Sequence, residues 1–593
     1  MSASQPEAGV IITDVLVIGG GAAGIYAALE ARAAGAEVCL LDKSMVGVGG
    51  ATIMAQMTVA AALGHREEDS AELHFADTIT SGKELVNESL AELMTVDAPR
   101  RILETRDMGV RWAADGDRLR QVIAPGHSRQ RCCYVDVLAT GTGVVKGMKV
   151  ELRRREVERM QNLYVTELLR DDAGRVCGAA ALHITEGRPV AIWAGSVVLA
   201  CGGLTEMYSR NSASVNMTGD AYALALGVGA EILDPEMVQF FPIGNLAPRT
   251  IGLDPIMWDP FRYKLGGRLT NGLDEDFLER YAGVADDGKY TATRDVVSYA
   301  ILKEVEAGRG SPHGGAWLDF RGIPADEIRA AFPPVVDKLL AQGIDLTERR
   351  VEVGPTAHYT IGGVRVDAQM RTNVPGLLAA GEAVGGAHGA NRLSGNAISE
   401  AFVFGARAGT TAAADAVTLG RPDPTSAAAE VMAAALARID DGCDRNPDSG
   451  IFLPALRRRL QDVMWRRVGP LRDEAGLLAA EAELAELAET VEQAHVGPAR
   501  RHNQEWVELF EMRTMLRNAA VIRLGALERR ESRGAHQRED FVAADPAYVR
   551  NGVVSQDGTG LVHRWERVPH RAPAVPDHQA APHAATQKEV LGA

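Results

Sequence analysis

The chain has 593 residues and a mass of 63.3 kDa, room for one large multi-part enzyme or two to four ordinary domains. Apolar residues make up 46% and charged residues 24%, the balance of a globular protein in water. The 63 Lys and Arg against 79 Asp and Glu leave a formal charge of −16, which argues against general binding to nucleic acid or anionic membranes. No stretch approaches the ~18 apolar residues of a membrane span. The opening MSASQPEAGV has neither the basic nor the apolar region of a secretory signal. Cys39, Cys132, Cys133, Cys177, Cys201 and Cys443 form no C-x-x-C. These features predict a cytoplasmic protein without direct membrane insertion, and with no zinc or iron–sulfur site built from its own cysteines.

In chain order, Val15–Ile18 reads as a strand buried on both faces, Ala22–Ala34 as a helix stopped by Gly35, and Val38–Leu41 as a second strand. This is one β-α-β unit, and its crossover implies a parallel sheet. Residues 190–203 give another buried strand ending in glycines. From residue 233 to 350 scattered aromatics and prolines mark an inserted domain. The apolar, Gly-rich pattern resumes over 351–420. Residues 424–545 are largely amphipathic helix with 3.6-residue periodicity, and 560–593 read as a disordered tail.

Gly19, Gly21 and Gly24 form G-x-G-x-x-G after the first strand, with Ala22 and Ala23 opening the helix. The glycines suit a tight turn, close approach of a pyrophosphate, and close strand–helix packing. The helix N-terminus offers N–H groups to the phosphates. Asp42, 18 residues beyond Gly24, is placed to accept from a ribose hydroxyl, which fits NAD as well as FAD. The second half decides for FAD. Glu382 follows a buried strand, where it would accept from the ribityl chain, and Asn396, Ala397 and Ile398 open a helix whose N–H groups would face the isoalloxazine O2.

These pieces, with VVLACGG at 197–203, NMTGDAYALA at 216–225, PTAHYTIGGV at 355–364, HGANRLSGNAISE at 388–400 and LERRESRGAHQRED at 527–540, resemble the flavoprotein subunits of succinate dehydrogenase and fumarate reductase, and L-aspartate oxidase. The resemblance spans about 10–545. It implies an α/β fold: a Rossmann-type FAD-binding domain (10–232 and 351–420), an inserted α+β capping domain (233–350) and a C-terminal helical bundle (424–545). It also implies hydride transfer between flavin N5 and a carbon beside a carboxylate. His358 and Arg392 match the family's carboxylate ligands, and Asp220 a position that contacts FAD. Arg533 and His536 match a segment facing the interdomain region, or else serve only to satisfy a helix end.

Three departures matter. Where respiratory members carry the His that bonds FAD covalently, this chain has Lys43-Ser44-Met45-Val46-Gly47-Val48-Gly49-Gly50-Ala51-Thr52. FAD is therefore expected to bind non-covalently, with Lys43, Gly49, Gly50, Ala51 and Thr52 as contacts. The family's Q-F-H-P-T appears as Gln239-Phe240-Phe241-Pro242-Ile243, which removes a carboxylate-binding His and a Thr. The family's proton-transferring Arg falls in the stretch Phe261–Asn271, where Arg262, Tyr263 and Lys264 are candidates and Arg262 ranks first.

The expected substrate is thus a small organic molecule with one anionic and one apolar end, and fumarate and succinate should be poor substrates. Electrons would pass to a separate partner, an iron–sulfur (ferredoxin-like) protein or dioxygen. Thr142, where a His is common in the family, does not decide between them, and Cys132 and Cys133 read as buried small apolar residues. The competing enzyme is adenylylsulfate-reductase-like, with a cationic pocket from Arg262, Lys264 and Arg268. The third reading is an electron-relaying flavoprotein with a decayed dicarboxylate site.

Overall fold

The computed structural model describes residues 9–570 apart from 137, 252, 255, 283–293, 425–427 and 559. β1 (Val10–Ile18), α1 (Ala22–Ala33) and β2 (Val38–Asp42) form the expected β-α-β unit, and α2 (Ala51–Met54) is a single turn beyond it. β3 (Glu158–Gln161), β4 (Leu163–Arg170), β5 (Val176–His183) and β6 (Arg188–Leu199) complete the frame. The strand order is β3-β2-β1-β6-β5-β4. β1 runs parallel to β2 and β6, pairing Ile18 with Leu41 and Leu199, so three strands end at one level. After β6 comes α3 (Asp220–Gly227).

β7 (Val238–Ala247) begins the cap, followed by α4 (Asp259–Leu265), β8 (Arg268–Thr270), β9 (Ala316–Asp319) and β10 (Val351–Thr360). The cap sheet has the order β7-β10-β9-β8. Its aromatic core contains Trp258, Phe261, Phe320 and Phe332, with the rings of Phe261 and Phe332 stacked at 4.2 Å. The sequence pattern assigns residues from 351 onward to the FAD domain, whereas β10 is a strand of the cap sheet. Its apolar run fits either sheet, and antiparallel pairing with β7 (Gln239 with Tyr359, Phe241 with Thr356) places it in the cap.

β11 (Leu377–Ala379) returns to the first sheet beside β6 and leads to α5 (Asn396–Leu419). α5 lies directly on α1. A Cβ on Gly405 would fall 2.4 Å from the Ala23 carbonyl oxygen, and one on Gly409 would fall 2.1 Å from that of Ala27. The helical domain is α6 (Ala428–Asp440), α7 (Leu453–Arg467), α8 (Glu474–Val491) and α9 (Gln504–Glu528). α8 buries Leu477, Ala480, Leu484, Leu487 and Val491, one stripe of the predicted periodicity, and Asp473 caps its first turn through Gly476 N–H at 2.6 Å.

The chain then forms a hairpin of β12 (Arg550–Asp557) and β13 (Gly560–Arg567), which corrects the expectation of disorder from residue 560. Its charges hid a strand whose pairing is anchored from elsewhere. β12 pairs with Ile232–Leu233, and Trp565 sits 5.0 Å from the guanidinium of Arg529. Residues 571–593 of the expected tail lie outside the described residues.

Arg529, fully buried, pairs with Asp234 (3.0 Å), Glu236 (2.6 Å) and Glu531 (3.1 Å), and donates to the carbonyls of Tyr548 and Arg550. It joins the start of the cap, the end of α9 and the hairpin. Removing one partner of such a cluster strands the others in low dielectric. Arg529→Ala is therefore expected to cost about 3–5 kcal/mol of stability, measured by denaturant unfolding, whereas Arg530→Ala, on the exposed side, should stay within about 0.5 kcal/mol.

Candidate active site and cofactor cradle

A cleft opens at the carboxyl ends of β1, β2 and β6, beneath the cap. Gly19 adopts φ +110°, and its N–H donates to the Leu41 carbonyl at 2.8 Å. A Cβ at Gly24 would fall 1.8 Å from the Gly19 oxygen, so Gly24 serves strand–helix packing and does not border the cleft. Gly19, Gly21, Ala22 and Ala23 do border it, at the N-terminus of α1. Thr52 Oγ1 accepts from Ala22 N–H at 3.0 Å and ties the 43–52 loop to that helix end.

Asp42 also borders the cleft. Its Oδ2 accepts from Gly20 N–H at 2.8 Å and its Oδ1 from Ser44 N–H at 2.7 Å, leaving lone pairs for a further donor. Lys43, Gly49, Gly50, Ala51 and Thr52 continue the wall. At Gly50 a Cβ would meet nothing within 4 Å, whereas Gly49 is held by Ser214 and Asn216, whose side chains donate to its carbonyl. Asp220, at the start of α3, faces the same space and pairs with Lys43 at 3.0 Å.

The second half converges from the other side. Glu382 borders the cleft and accepts from Thr360 N–H at 3.0 Å. Burial, reinforced by Glu400 and opposed by the Thr360 N–H and Arg392, pushes its carboxyl up to about 8. Ala397 and Ile398 border the cleft at the N-terminus of α5, behind the left-handed Gly395. Asn396 turns away, bonding His74 Nε2 at 2.8 Å and Thr78 Oγ1 at 3.2 Å. Two helix N-termini thus face one cleft, one beside the pyrophosphate fingerprint and one at the far end. That arrangement fits a dinucleotide carrying a flavin.

On the cap side β10 delivers His358 and Tyr359. His358 Nδ1 lies 3.0 Å from Ser212 Oγ, which is also within 3.0 Å of the Ala357 carbonyl, so Ser212 orients the ring. The Arg392 guanidinium stacks 4.3 Å over the Tyr359 ring, whose hydroxyl bonds Glu400, itself 3.3 Å from His388 Nε2. Gln239 donates to the Arg392 carbonyl at 3.0 Å and fixes that loop. Phe241 faces His358 at 5.4 Å between rings and borders the cleft with Met257, while Ile243 is buried in the cap core.

The structure brings His358 and Arg392 together but does not bring Arg262 to them. Arg262 is buried on α4, a helix held in the cap core by Phe261, and does not border the cleft. Lys264 is exposed and donates to the Ala331 carbonyl at 2.9 Å, and Arg268 pairs with Asp276 at 2.9 Å. The side chain of Tyr263 lies outside the described residues. Arg533 pairs with Glu531 and Glu84, and His536 bonds Arg472 and the Arg529 carbonyl, so both are structural. Cys132 and Cys133 are buried in a short strand, and Thr142 Oγ1 contacts the Ile53 carbonyl. Sequence reasoning missed Ser212, Asn216 and Tyr359. Tyr359 adjoins His358 in PTAHYTIGGV and Asn216 opens NMTGDAYALA, whereas the loop contact of Ser212 carries no local signal.

Residues 14–398 match the family model described as FAD binding domain, and 457–570 match fumarate reductase flavoprotein C-term. The chain belongs to the fumarate reductase, succinate dehydrogenase and L-aspartate oxidase flavoprotein family. It is 34% identical to a fumarate reductase (CoM/CoB) subunit of Methanothermobacter marburgensis, over 92% of this chain and 97% of that one. It is 33% identical to L-aspartate oxidase of Streptomyces coelicolor, over 96% of each. Among solved structures, E. coli quinol fumarate reductase FrdA superposes with a TM-score of 0.87 at 28% identity, covering 95% of this chain and 98% of that one. This flavoprotein is an FAD-dependent oxidoreductase, and the helical domain completes the family architecture.

The raised pKa of Glu382 has a consequence for the flavin-free protein. The folded chain keeps a proton that the unfolded chain releases near pH 4.5, so this contribution is full below pH 4.5 and fades as pH rises toward about 8. Between pH 5 and 8, Glu382→Gln is expected to flatten the fall of the unfolding midpoint of the apoprotein. Parallel curves for the two proteins would contradict the assignment.

Proposed function

We propose that the chain holds FAD non-covalently and transfers hydride between flavin N5 and a substrate carbon beside an anionic group, on a molecule with one anionic and one apolar end. Non-covalent binding rests on the 43–52 loop, which contains no His, Cys or Tyr to form a bond to the flavin. Bound FAD supplies the two-electron chemistry, and the chain supplies binding, orientation and exclusion of water. The Arg392 guanidinium, held by its stack on Tyr359, presents a planar fork to one carboxylate. His358, oriented by Ser212, supplies the second polar contact.

The observation that carries the reading is the asymmetry of the wall. His358 and Arg392 face the cleft together with Phe241 and Met257, and Met54 and Met57 add further adaptable apolar surface. A second carboxylate set against the Phe241 ring and Met257 side chain would lose hydration to apolar groups, at a cost of several kcal/mol unless Gln56 or Thr58, which also border the cleft, supplied a donor. The cleft reaches both His358 and Arg392, so Phe241 does not fill it, which speaks for a working site over a relic. The adenylylsulfate-type reading lacks its cationic pocket, since Arg262, Lys264 and Arg268 do not border the cleft.

Electrons are exchanged with a separate partner. Among the described residues no group of His, Cys, Asp and Glu is arranged to hold a metal, and the Methanothermobacter relative is one subunit of its enzyme. An iron–sulfur, ferredoxin-like partner is the reading we favour. No described helix is long and apolar enough to cross a membrane.

The test is anaerobic reoxidation of the reduced protein by fumarate and by a series of monocarboxylic enoates with apolar tails. The apolar enoates are expected to react at least about tenfold faster than fumarate, a difference of about 1.4 kcal/mol in the barrier. Fumarate as the fastest oxidant would overturn the reading. Arg392→Met is expected to lower kcat/KM for the best enoate by about 30-fold or more, from loss of a buried charge pair.

A further inference from the structure

One wall of the cleft, formed by Lys43, Tyr164 and Asp220, is backed from outside its own domain. At the end of β2, beside Asp42, Lys43 Nζ lies 2.6 Å from Thr218 Oγ1, 3.0 Å from Asp220 and 2.9 Å from Glu511. Lys43 and Asp220 border the cleft, as does Tyr164, whose ring lies 5.5 Å from the ammonium. Glu511 belongs to α9 of the helical domain. Two further residues on the same face of α9 reach the same place. Thr514 Oγ1 is 3.3 Å from the Tyr164 hydroxyl, and Asn518 donates to the Gly219 carbonyl at 2.9 Å. The spacing of 511, 514 and 518 is i, i+3, i+7, a single helical stripe.

A second layer holds Glu511. Arg457 on α7 pairs with Glu511 and with Glu508 at 3.0 Å, and Gln461 donates to the Glu206 carbonyl at 2.9 Å. Burial opposes the charge on Glu511, but Lys43 and Arg457 outweigh it and hold the carboxyl below its usual range. Burial likewise opposes the charge on Lys43, and Asp220 and Glu511 raise its affinity for the proton. Lys43 and Glu511 are therefore each held in the charged form by the other.

We propose that α9 buttresses the wall that Lys43, Tyr164 and Asp220 form at the adenosine end of the FAD site, with Glu511 the positioning residue that holds Lys43 against Asp220. Cofactor binding and docking of the helical domain are then one linked equilibrium. The inference rests on Asp42 as the ribose acceptor, because Lys43 follows it directly and shares its strand end. It needs no statement about substrate, so a failure of the enoate assay leaves it standing.

The experiment removes flavin from the purified protein, titrates FAD back and follows quenching of flavin fluorescence. Glu511→Gln is expected to weaken FAD at least about tenfold, as for loss of a buried hydrogen bond to a charged group. Glu508→Gln, which touches Arg457 but not Lys43, should change affinity by less than about twofold. In a Lys43→Met background Glu511→Gln should add no further loss, because its effect runs through the ammonium. Unchanged affinity in Glu511→Gln, an equal loss in Glu508→Gln, or an undiminished loss in the Lys43→Met background would each overturn the proposal. If Glu511→Gln gives no folded protein, Thr514→Val is read in its place. Weaker FAD binding with an unchanged circular-dichroism spectrum supports the proposal, and unchanged binding overturns it.

Discussion

The site depends on the backbone contact between α1 and α5. At Gly405 and Gly409, one turn apart, α5 rests against the carbonyl oxygens of Ala23 and Ala27. Any side chain at either glycine would push the helices apart, and with them the two N-termini that face the cleft. The approach is close because both helices are small-residue surfaces where they meet. It sets the separation between the phosphate end and the flavin end of the cofactor site. Once that separation is set, the strand ends at Ile18, Leu41 and Leu199 complete the floor.

Much of this could be read in the sequence where a single residue type has a single physical use. The G-x-G-x-x-G turn, Asp42 at a strand end and Glu382 after a buried strand were legible, because turn geometry and strand burial leave strong local marks. What could not be read was direction. Asn396 opens α5 as expected but turns its amide to His74 and Thr78, away from the cleft. Arg262 sits in the right stretch, yet the aromatic packing of α4 carries it into the cap core. Partners distant in sequence were equally hidden, since nothing near Lys43 signals a glutamate 468 residues away. The closing hairpin escaped notice because its anchors, Arg529 and Ile232–Leu233, lie outside it.

The cap contributes to both halves of the cleft wall. β7 and β10 pair antiparallel through irregular register on either side of Phe241, and Phe241 stands on the same wall as His358, close enough for ring contact. The charged half of the clamp belongs to elements tied into the FAD domain, through Gln239, Arg392 and the Tyr359–Glu400 bond. The opposite half is spread over Phe241 on β7, Met257 ahead of α4, and Met54 and Met57.

The closing hairpin also bears on how the polypeptide is made. β12 and β13 leave the ribosome long after β7, yet β12 pairs with Ile232–Leu233 at the base of the cap and surrounds Arg529 with carbonyls. Until Arg529 has emerged the nascent chain holds Asp234 and Glu236 without their cation. The base of the cap is completed later still, when the hairpin emerges and pairs with Ile232–Leu233.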